Sequence, residues 1–282
     1  MGTLPRLTIV LPTCSPRLGL LRTAPIPLLA LVEKAVHALL TQPDPIGTEI
    51  LVMETHPAGG VERHLGSVFG QEMYSGKLRV QRTHRALGYS EAIREGASVA
   101  QGAFLSIHDC LDLWLPGYLQ ALGPLLDHYD LIVSSHDHPG VSGDWLQAFL
   151  LENWALPSST VVRRTLYEEV GGFPKPSIPF LVNLDYEFIL LCLTTLAQKK
   201  SVNRTQSHPL DRFILMNSQY IQLGEGKNPL LEINPAWETQ LKWTGKRIYS
   251  MGETLSLLLS AGNFPIRYWP LLARRLLKGH VR

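Results

Sequence analysis

The first half of the chain alternates short apolar runs with longer segments of helical periodicity. Five runs are typical of strands, at residues 6–13, 49–55, 77–83, 103–107 and 130–135. Residues 28–40 instead repeat apolar side chains every three or four positions, at Leu28, Leu31, Val32, Ala35, Val36 and Leu39. Strands that alternate with helices predict an α/β fold, in which a mostly parallel mixed sheet is covered by helices.

A second helix is predicted over residues 88–102. Ser90 can cap its N-terminus, and Gly102 stands where a C-terminal glycine belongs. One face carries small residues, namely Ala92, Gly96 and Val99 or Ala100. Such a face allows the helix to lie close to the sheet, although the internal glycine costs about 1 kcal/mol in helix propensity.

The pattern changes in the second half and again near the C-terminus. Residues 158–173 predict a strand, a short helix and a glycine turn, and an apolar helix follows an acidic cluster at 183–198. The polar stretch "GEGKNP" begins at about residue 223. We therefore expect one domain over 1–222, with halves at 1–115 and 116–222, and a linker with a helical extension over 223–282.

Composition narrows the class of protein. A formal net charge of +2 on 282 residues gives no argument for a nucleic-acid partner, and we expect none. Three widely spaced cysteines fit a reducing compartment and argue against a disulfide framework. No secretory signal and no apolar run of about 20 residues is visible. We therefore expect a cytoplasmic protein.

The basic, apolar tail at 265–282 allows two interpretations. Trp269 and several leucines alternate with arginines and Lys278, which is typical of a helix that lies on an anionic membrane surface. A helix that packs on the domain and keeps its basic ends in water has the same composition. Peripheral membrane contact at the inner face is one expectation, and packing is the other.

Chemistry-bearing residues gather where the predicted strands end. "PTCSP" follows the first strand, "ETHPAGG" includes the end of the second, and "HDCLD" follows the fourth. Parallel sheets bind ligands in the crevice beyond the carboxyl ends of their strands. The acids Asp109 and Asp112 form either a plain strand-to-helix turn, with Asp112 as an N-cap, or an edge that handles metal or phosphate.

Six blocks, in order, resemble the family-2 glycosyltransferases. They are "LTIVLPT", "EILVMET", "GYSEAIREG", "GAFLSIHDCLDLWLP", "SSTVVRRTLYEEVGGF" and "LDYEF", and they lie within residues ~6–220. The resemblance implies a GT-A fold and the transfer of a sugar, with inversion, from a nucleotide-diphosphate sugar to an acceptor hydroxyl. UDP is the commonest donor nucleotide in such a resemblance, and the acceptor is expected to be a carbohydrate or lipid-linked glycan.

Several motif positions depart from the family's pattern. Aligned between Gly102 and Trp114, Asp109 takes the first acidic position of the DxD element, while Leu111 takes the second. Asp112 follows directly. Ile93 and Arg94 replace an Arg-Asn pair, and Leu184 replaces a glutamate before Asp185. Both the DxD and the ED motifs are therefore degenerate.

The resemblance assigns roles residue by residue. Asp185 is the expected catalytic base, with helix capping as its alternative role. Asp109 and Asp112 are expected to hold Mg²⁺ or Mn²⁺, although Asp109 could instead contact the donor's ribose. The donor-binding residues implied are Pro12, Thr13, Cys14, Glu54, Gly88, Arg94 and Asp109.

Some of these residues have a structural alternative. Glu54 either faces the nucleotide or closes its strand. Arg94 either pairs with phosphate oxygens or lies solvated beside Glu91 and Glu95. Cys14 is not expected to be a nucleophile, because no partner histidine is visible by its spacing in the sequence. His136 and His138 share a strand face but lack further metal ligands, so exposed loop residues are expected there.

Two other classes compete with an active transferase. A catalytically impaired glycosyltransferase-like subunit, which binds a nucleotide or a partner, would explain several altered motif positions at once. A nucleotidyltransferase on a similar fold would need a loop of Gly, Arg and Lys after the first strand, and "PTCSP" lacks one.

Overall fold

The computed structural model describes residues 4–14, 28–56, 59–135, 158 and 160–175, and six helical residues between 188 and 196. The strands at 213–217 and 221–222 complete the described part. Asp185, His136, His138 and the predicted extension at 223–282 lie outside it. The predicted domain boundaries therefore stay predictions.

A seven-stranded mixed sheet forms the centre of the fold. Its strands in chain order are β1 (Leu7–Pro12), β2 (Thr48–Glu54), β3 (Leu78–Arg82), β4 (Phe104–Ile107), β6 (Leu131–Ser135), β7 (Thr160–Arg163) and β8 (Phe213–Asn217). In space the order is β3-β2-β1-β4-β7-β6-β8, and β7 runs antiparallel to both of its neighbours. The other paired strands of this sheet are parallel. The predicted α/β fold with a mostly parallel mixed sheet is confirmed.

A two-stranded ribbon and several helices surround the sheet. The ribbon pairs β5 (Leu113–Trp114) with β9 (Ile221–Gln222). The helices are α1 (Leu28–Leu40), α2 (Val61–Val68), α3 (Gly70–Tyr74), α4 (Tyr89–Val99), α5 (Tyr118–Leu122) and α6 (Arg164–Glu169), with a 3₁₀ turn at Gly123–Asp127. Within the described residues, no helix is long and apolar enough to cross a bilayer.

The continuous apolar character of β1 and β2 follows from burial on both faces. Leu7, Ile9 and Leu11 belong to the core cluster that contains α1, whereas Val10 packs with Ala92 of α4. The predicted apolar face of α1 is confirmed, because Val32, Ala35, Val36 and Leu39 are its buried residues. Helices cover both faces of the sheet, so the carboxyl ends of the parallel strands form the edge at which such sheets bind ligands.

Helix α4 lies close to the sheet, as its small residues predict. A Cβ on Gly96 would stand 2.6 Å from Val10 Cγ1 and 3.1 Å from Met53 Sδ, so a larger residue cannot fit without movement. Its predicted ends are wrong by a residue or more. Gly88 is the N-cap, and the helix ends at Val99.

The two residues that predicted those ends have other tasks. Ser90 is buried, and its hydroxyl donates to the carbonyl of Pro174. Gly102 follows the helix, where a Cβ would stand 2.4 Å from Thr8 N. Gly102 is therefore required by close contact with β1, a constraint that helix signals do not contain.

Candidate functional site

A threonine follows each of the first three strands at the carboxyl edge of the sheet. Thr13, Thr55 and Thr83 are all buried, and we call them the threonine rim. The Thr13 amide donates to Met53 O at 3.0 Å, and the Thr55 amide donates to Thr13 Oγ1 at 3.0 Å. The two hydroxyl oxygens lie 3.0 Å apart and share a hydrogen bond. The rim therefore links β1 and β2 through neutral groups that both donate and accept.

Thr83 extends the rim to the loop before α4. Its hydroxyl lies 3.1 Å from Glu54 O and 2.7 Å from Arg85 O. The Leu87 amide donates to Thr55 O at 3.0 Å. Thr13 was among the predicted donor-binding residues, but Thr55 and Thr83 were not. Their signal was present in the sequence, since "PT", "ET" and "RT" each mark the end of a strand.

Pro12 and Cys14 flank Thr13 on the same rim. Cys14 is half-buried, and its Sγ lies 3.8 Å from Leu87 O. Burial raises the pKa of the Cys14 thiol, a hydrogen bond from Thr55 lowers it, and the Asp109 carboxylate raises it. A neutral thiol is a poor nucleophile, which agrees with the prediction that Cys14 is not one. The loops after β1 and β4 lie side by side, because Val10 of β1 pairs in parallel with Ile107 of β4.

Glu54 is buried and bonds the start of α2. Its side chain is 1% exposed, and Oε1 accepts from the Val61 amide at 2.8 Å. Gly60, the N-cap of α2, has no side chain to accept this bond, so the carboxylate of Glu54 takes that place. Arg82 Nε lies 3.6 Å from Oε2. These contacts fit the structural alternative, in which Glu54 closes its strand.

The five residues after β4, His108–Asp112, form a buried turn that we call the acidic loop. Asp109 is 1% exposed and Asp112 is fully buried. Asp109 Oδ1 accepts from the Leu111 amide at 2.9 Å, and the Asp112 amide donates to Asp109 O at 2.9 Å. His108 Nε2 lies 3.1 Å from Asp112 O, so that ring nitrogen carries the proton. The loop is held in shape by its own polar groups.

Ser158, which sequence reasoning missed, connects the acidic loop to the segment before β7. Its Oγ accepts from the Asp109 amide at 2.8 Å and donates to Asp112 Oδ2 at 2.7 Å. Its carbonyl accepts from Trp114 Nε1 at 2.8 Å. Trp114 in turn stacks on Tyr118, with ring centroids 4.1 Å apart. One serine therefore joins both ends of the loop and the core behind it.

The described residues do not form a complete protein site for a divalent cation at this loop. Leu111, at the second acidic position, is 8% exposed and belongs to the core cluster around α1. Asp112 Oδ2 is the acceptor of the Ser158 hydroxyl. Among the residues that the structure describes, no three His, Cys, Asp or Glu side chains converge on a possible metal position. Asp109 lies on the loop after β4, beside the loop that carries Cys14 after β1.

Gly88 and Arg94 lie at different places along α4. Gly88 is exposed at the N-cap, and its amide donates to Glu91 Oε2 at 3.2 Å. Arg94 Nη1 donates to the carbonyl of Gly171 at 2.9 Å and to that of Phe173 at 2.6 Å. Arg94 is therefore not the solvated helix residue of the structural alternative. It binds the glycine turn after α6 and joins the two halves of the chain.

An aromatic cluster continues this junction. The Phe173 ring packs on Tyr89 at 6.1 Å and on Phe188 at 5.5 Å, and Tyr167 also contacts Phe188. Phe188, Ile189, Cys192 and Leu196 are helical and buried, which agrees with the apolar helix predicted over 183–198. Asp185 itself lies outside the described residues, so its role stays a prediction.

The structure thus brings together part of the predicted site. Pro12, Thr13, Cys14 and Asp109 meet at the carboxyl edge of β1 and β4, with Gly88 at the start of α4. Glu54 and Arg94 hold other parts of the protein in place. What the described site offers is a set of hydroxyl, thiol and backbone groups beside one carboxylate, which suits the recognition of a polar ligand.

Comparisons with known proteins connect this edge to a fold. No protein-family model and no curated protein matches the sequence. Among solved structures, S. aureus TarS 1–349 superposes with a TM-score of 0.59 and 12% identity, over 98% of this chain and 71% of TarS 1–349. The same protein in complex with UDP-GlcNAc superposes with a TM-score of 0.54 and 13% identity, over 97% of this chain and 80% of its own.

A second protein agrees with the first. The mannosyltransferase PcManGT from Pyrobaculum calidifontis, in complex with GDP-Man and Mn²⁺, gives a TM-score of 0.61 at 15% identity, over 99% of this chain and 71% of its own. At such identities the likeness shows architecture alone. The chain has the GT-A fold of these glycosyltransferases.

Proposed function

We propose that the protein is a glycosyltransferase that moves a sugar from a nucleotide-diphosphate sugar to an acceptor hydroxyl with inversion. The observation that carries this proposal is that Thr13 and Cys14 after β1 and Asp109 after β4 stand on adjacent loops at the carboxyl edge of a GT-A sheet. Ligands of open α/β sheets bind at that edge. The UDP-GlcNAc complex of a structural neighbour supports UDP as the donor nucleotide, and the GDP-Man complex of another keeps GDP as the alternative.

The donor pocket is assigned to the loops that the structure brings together. Pro12, Thr13 and Cys14 contribute backbone and small side chains, and Gly88 allows close approach at the start of α4. Asp109 accepts hydrogen bonds from the ribose hydroxyls. The rim hydroxyls of Thr13 and Thr55 can exchange their mutual bond for one to the ligand at little cost, since each both donates and accepts.

The transfer step needs a base on the acceptor side. As the acceptor oxygen attacks the anomeric carbon, its proton passes to Asp185, and the bond from that carbon to the diphosphate oxygen breaks. The nucleoside diphosphate leaves with the bonding electron pair. The support for Asp185 is the "LDYEF" resemblance, and no step here runs through a cation.

Asp185→Asn tests the base directly. We expect UDP to bind as in the wild type, while release of the diphosphate from UDP-sugars in the presence of acceptor falls by about 10²-fold or more. Asp127→Asn is the matched control, because Asp127 is exposed and pairs only with Arg6 among the described residues. Undiminished turnover of Asp185→Asn would remove the base assignment.

A second candidate is favoured by the acidic loop itself. Because Asp109 and Asp112 are buried and Leu111 lies in the core, the chain also suits a glycosyltransferase-like subunit that binds a nucleotide or a partner protein without transfer. Thermal shift and donor hydrolysis with UDP, UDP-sugars and GDP-sugars separate the two. Binding with slow hydrolysis supports the enzyme, whereas binding without hydrolysis, or silence, supports the subunit.

The acceptor and the site of action complete the proposal. A carbohydrate or lipid-linked acceptor fits a cytoplasmic enzyme that touches the inner face of a membrane through residues 265–282. The support is the alternation of arginines with Trp269 and leucines in that segment. Co-sedimentation with anionic liposomes should fall when 265–282 is removed. Equal sedimentation of both proteins would favour packing of this segment on the domain.

A further inference from the structure

Ser158 links the two acids of the loop through its hydroxyl. The Asp109 amide can only donate, so Ser158 Oγ accepts at 2.8 Å, and its own proton is available for Asp112 Oδ2 at 2.7 Å. Asp112 is fully buried, so this bond is formed away from water.

The remaining polar groups of the acidic loop also hold its shape. Asp109 Oδ1 bonds the Leu111 amide two residues on, which is the pattern of an Asx turn. The Asp112 amide closes a turn on Asp109 O, and the Leu111 side chain enters the core with Trp114. A serine hydroxyl and the loop's own backbone therefore hold its shape.

We propose that Asp112 and Ser158 form a clamp that fixes the acidic loop, and that a nucleotide binds beside Asp109 without a divalent cation ligated by Asp112. Asp112 and Ser158 are then positioning residues, because they act by setting the place of Asp109. The part that concerns the nucleotide rests on the proposed function. The part that concerns the clamp and the metal does not.

The first experiment measures Mn²⁺ binding by the signal of free Mn²⁺ in electron paramagnetic resonance, with and without UDP. For the wild type we expect no Mn²⁺ site that depends on Asp112, so Asp112→Ala should give the same titration. UDP affinity should agree within about twofold between Mn²⁺ and EDTA. Mn²⁺ binding that Asp112→Ala abolishes, or a tenfold gain of UDP affinity in Mn²⁺ that Asp112→Ala abolishes, would overturn the proposal.

The second experiment is a double-mutant cycle on unfolding in urea, with Ser158→Ala, Asp112→Ala and both together. Because the two groups bond each other, we expect the single changes to be non-additive by about tenfold in the unfolding equilibrium constant. Ser158→Thr keeps the hydroxyl and should restore most of the loss. Ser98→Ala removes a hydroxyl that donates to Glu95 O on the exposed side of α4, and it serves as the control.

The two arms separate failure of the clamp from failure of the function. Additive effects in the cycle, or no rescue by Ser158→Thr, would overturn the clamp whatever UDP does. If the wild type binds neither UDP nor GDP in either buffer, the proposed function fails. The Mn²⁺ titration of the protein alone and the cycle still decide whether Asp112 is a ligand or a partner of Ser158.

Discussion

The threonine rim and the acidic loop lie side by side at one sheet edge, yet they are constructed differently. The rim consists of neutral hydroxyls that bond each other across β1 and β2. The loop consists of carboxylates whose described bonds go to Leu111 N and to the Ser158 hydroxyl. A hydroxyl can exchange one partner for another, whereas a buried carboxylate that loses its partner carries a large desolvation penalty. The comparison teaches that the rim offers exchangeable ligand contacts, whereas the loop has a fixed shape that sets the place of Asp109.

The largest expected effect comes from placing an acid at position 111, where the sequence resemblance leads one to expect it. Leu111→Asp would place a carboxylate in the core beside Trp114, where nothing described is positioned to pair with it. We expect a loss of about 3 kcal/mol or more in the free energy of unfolding, measured in urea. Leu4→Asp is the control, because Leu4 is 76% exposed and should tolerate the change.

A different result for Leu111→Asp would contradict this expectation. If Leu111→Asp keeps wild-type stability and gains Mn²⁺ binding, the loop can adopt the family's metal-binding form. The difference drawn here between the loop and the rim would then be wrong.

A smaller effect is expected at the rim. Thr55→Val removes the hydroxyl that bonds Thr13 while it keeps the shape of the side chain. We expect a loss of about 1 kcal/mol in stability, together with weaker UDP binding in calorimetry. Thr41→Val provides the matched control, since the Thr41 hydroxyl bonds His37 O at the exposed end of α1. Unchanged UDP affinity in Thr55→Val would remove the rim from the donor pocket.

The smallest effect concerns pH. Burial raises the pKa of Cys14 above its ordinary value of 9.0, so between the unfolded and the folded pKa the folded state binds more protons. The stability that Cys14 contributes is therefore complete below pH 9.0 and is lost as the pH rises through the folded pKa. Alkylation by iodoacetamide should reach half its maximal rate at a higher pH for Cys14 than for a free thiol. A midpoint at or below that of the free thiol would contradict the burial argument.

Much of the fold could be predicted from local pattern. β1 and β2 are continuous apolar runs because helices cover both of their faces. α1 has a clear helical periodicity because one of its faces is buried. The ends of α4 could not be predicted from helix signals. Ser90 bonds the carbonyl of Pro174, and Gly102 is required by its close contact with Thr8. Propensity cannot contain contacts that only the folded chain makes.

The site divides in the same way. Thr13, Cys14 and Asp109 were predictable because strand ends share one edge of a parallel sheet. The contacts of Ser158 and Arg94 could not be predicted from the sequence. Ser158 Oγ bonds a carboxylate 46 residues away, and Arg94 bonds carbonyls 77 and 79 residues away. Such pairs exist only because β7 lies beside β4 and α6 beside α4. The spacing of these residues in the sequence does not predict them.

The central claim is that UDP, the proposed donor nucleotide, binds between the adjacent loops after β1 and β4. Calorimetric titration of UDP into the wild type, Asp109→Asn and the control Asp127→Asn tests it most directly. We predict binding by the wild type, affinity at least about tenfold weaker in Asp109→Asn, and no change in Asp127→Asn. Absence of UDP binding by the wild type, or equal affinity in all three proteins, would contradict the claim.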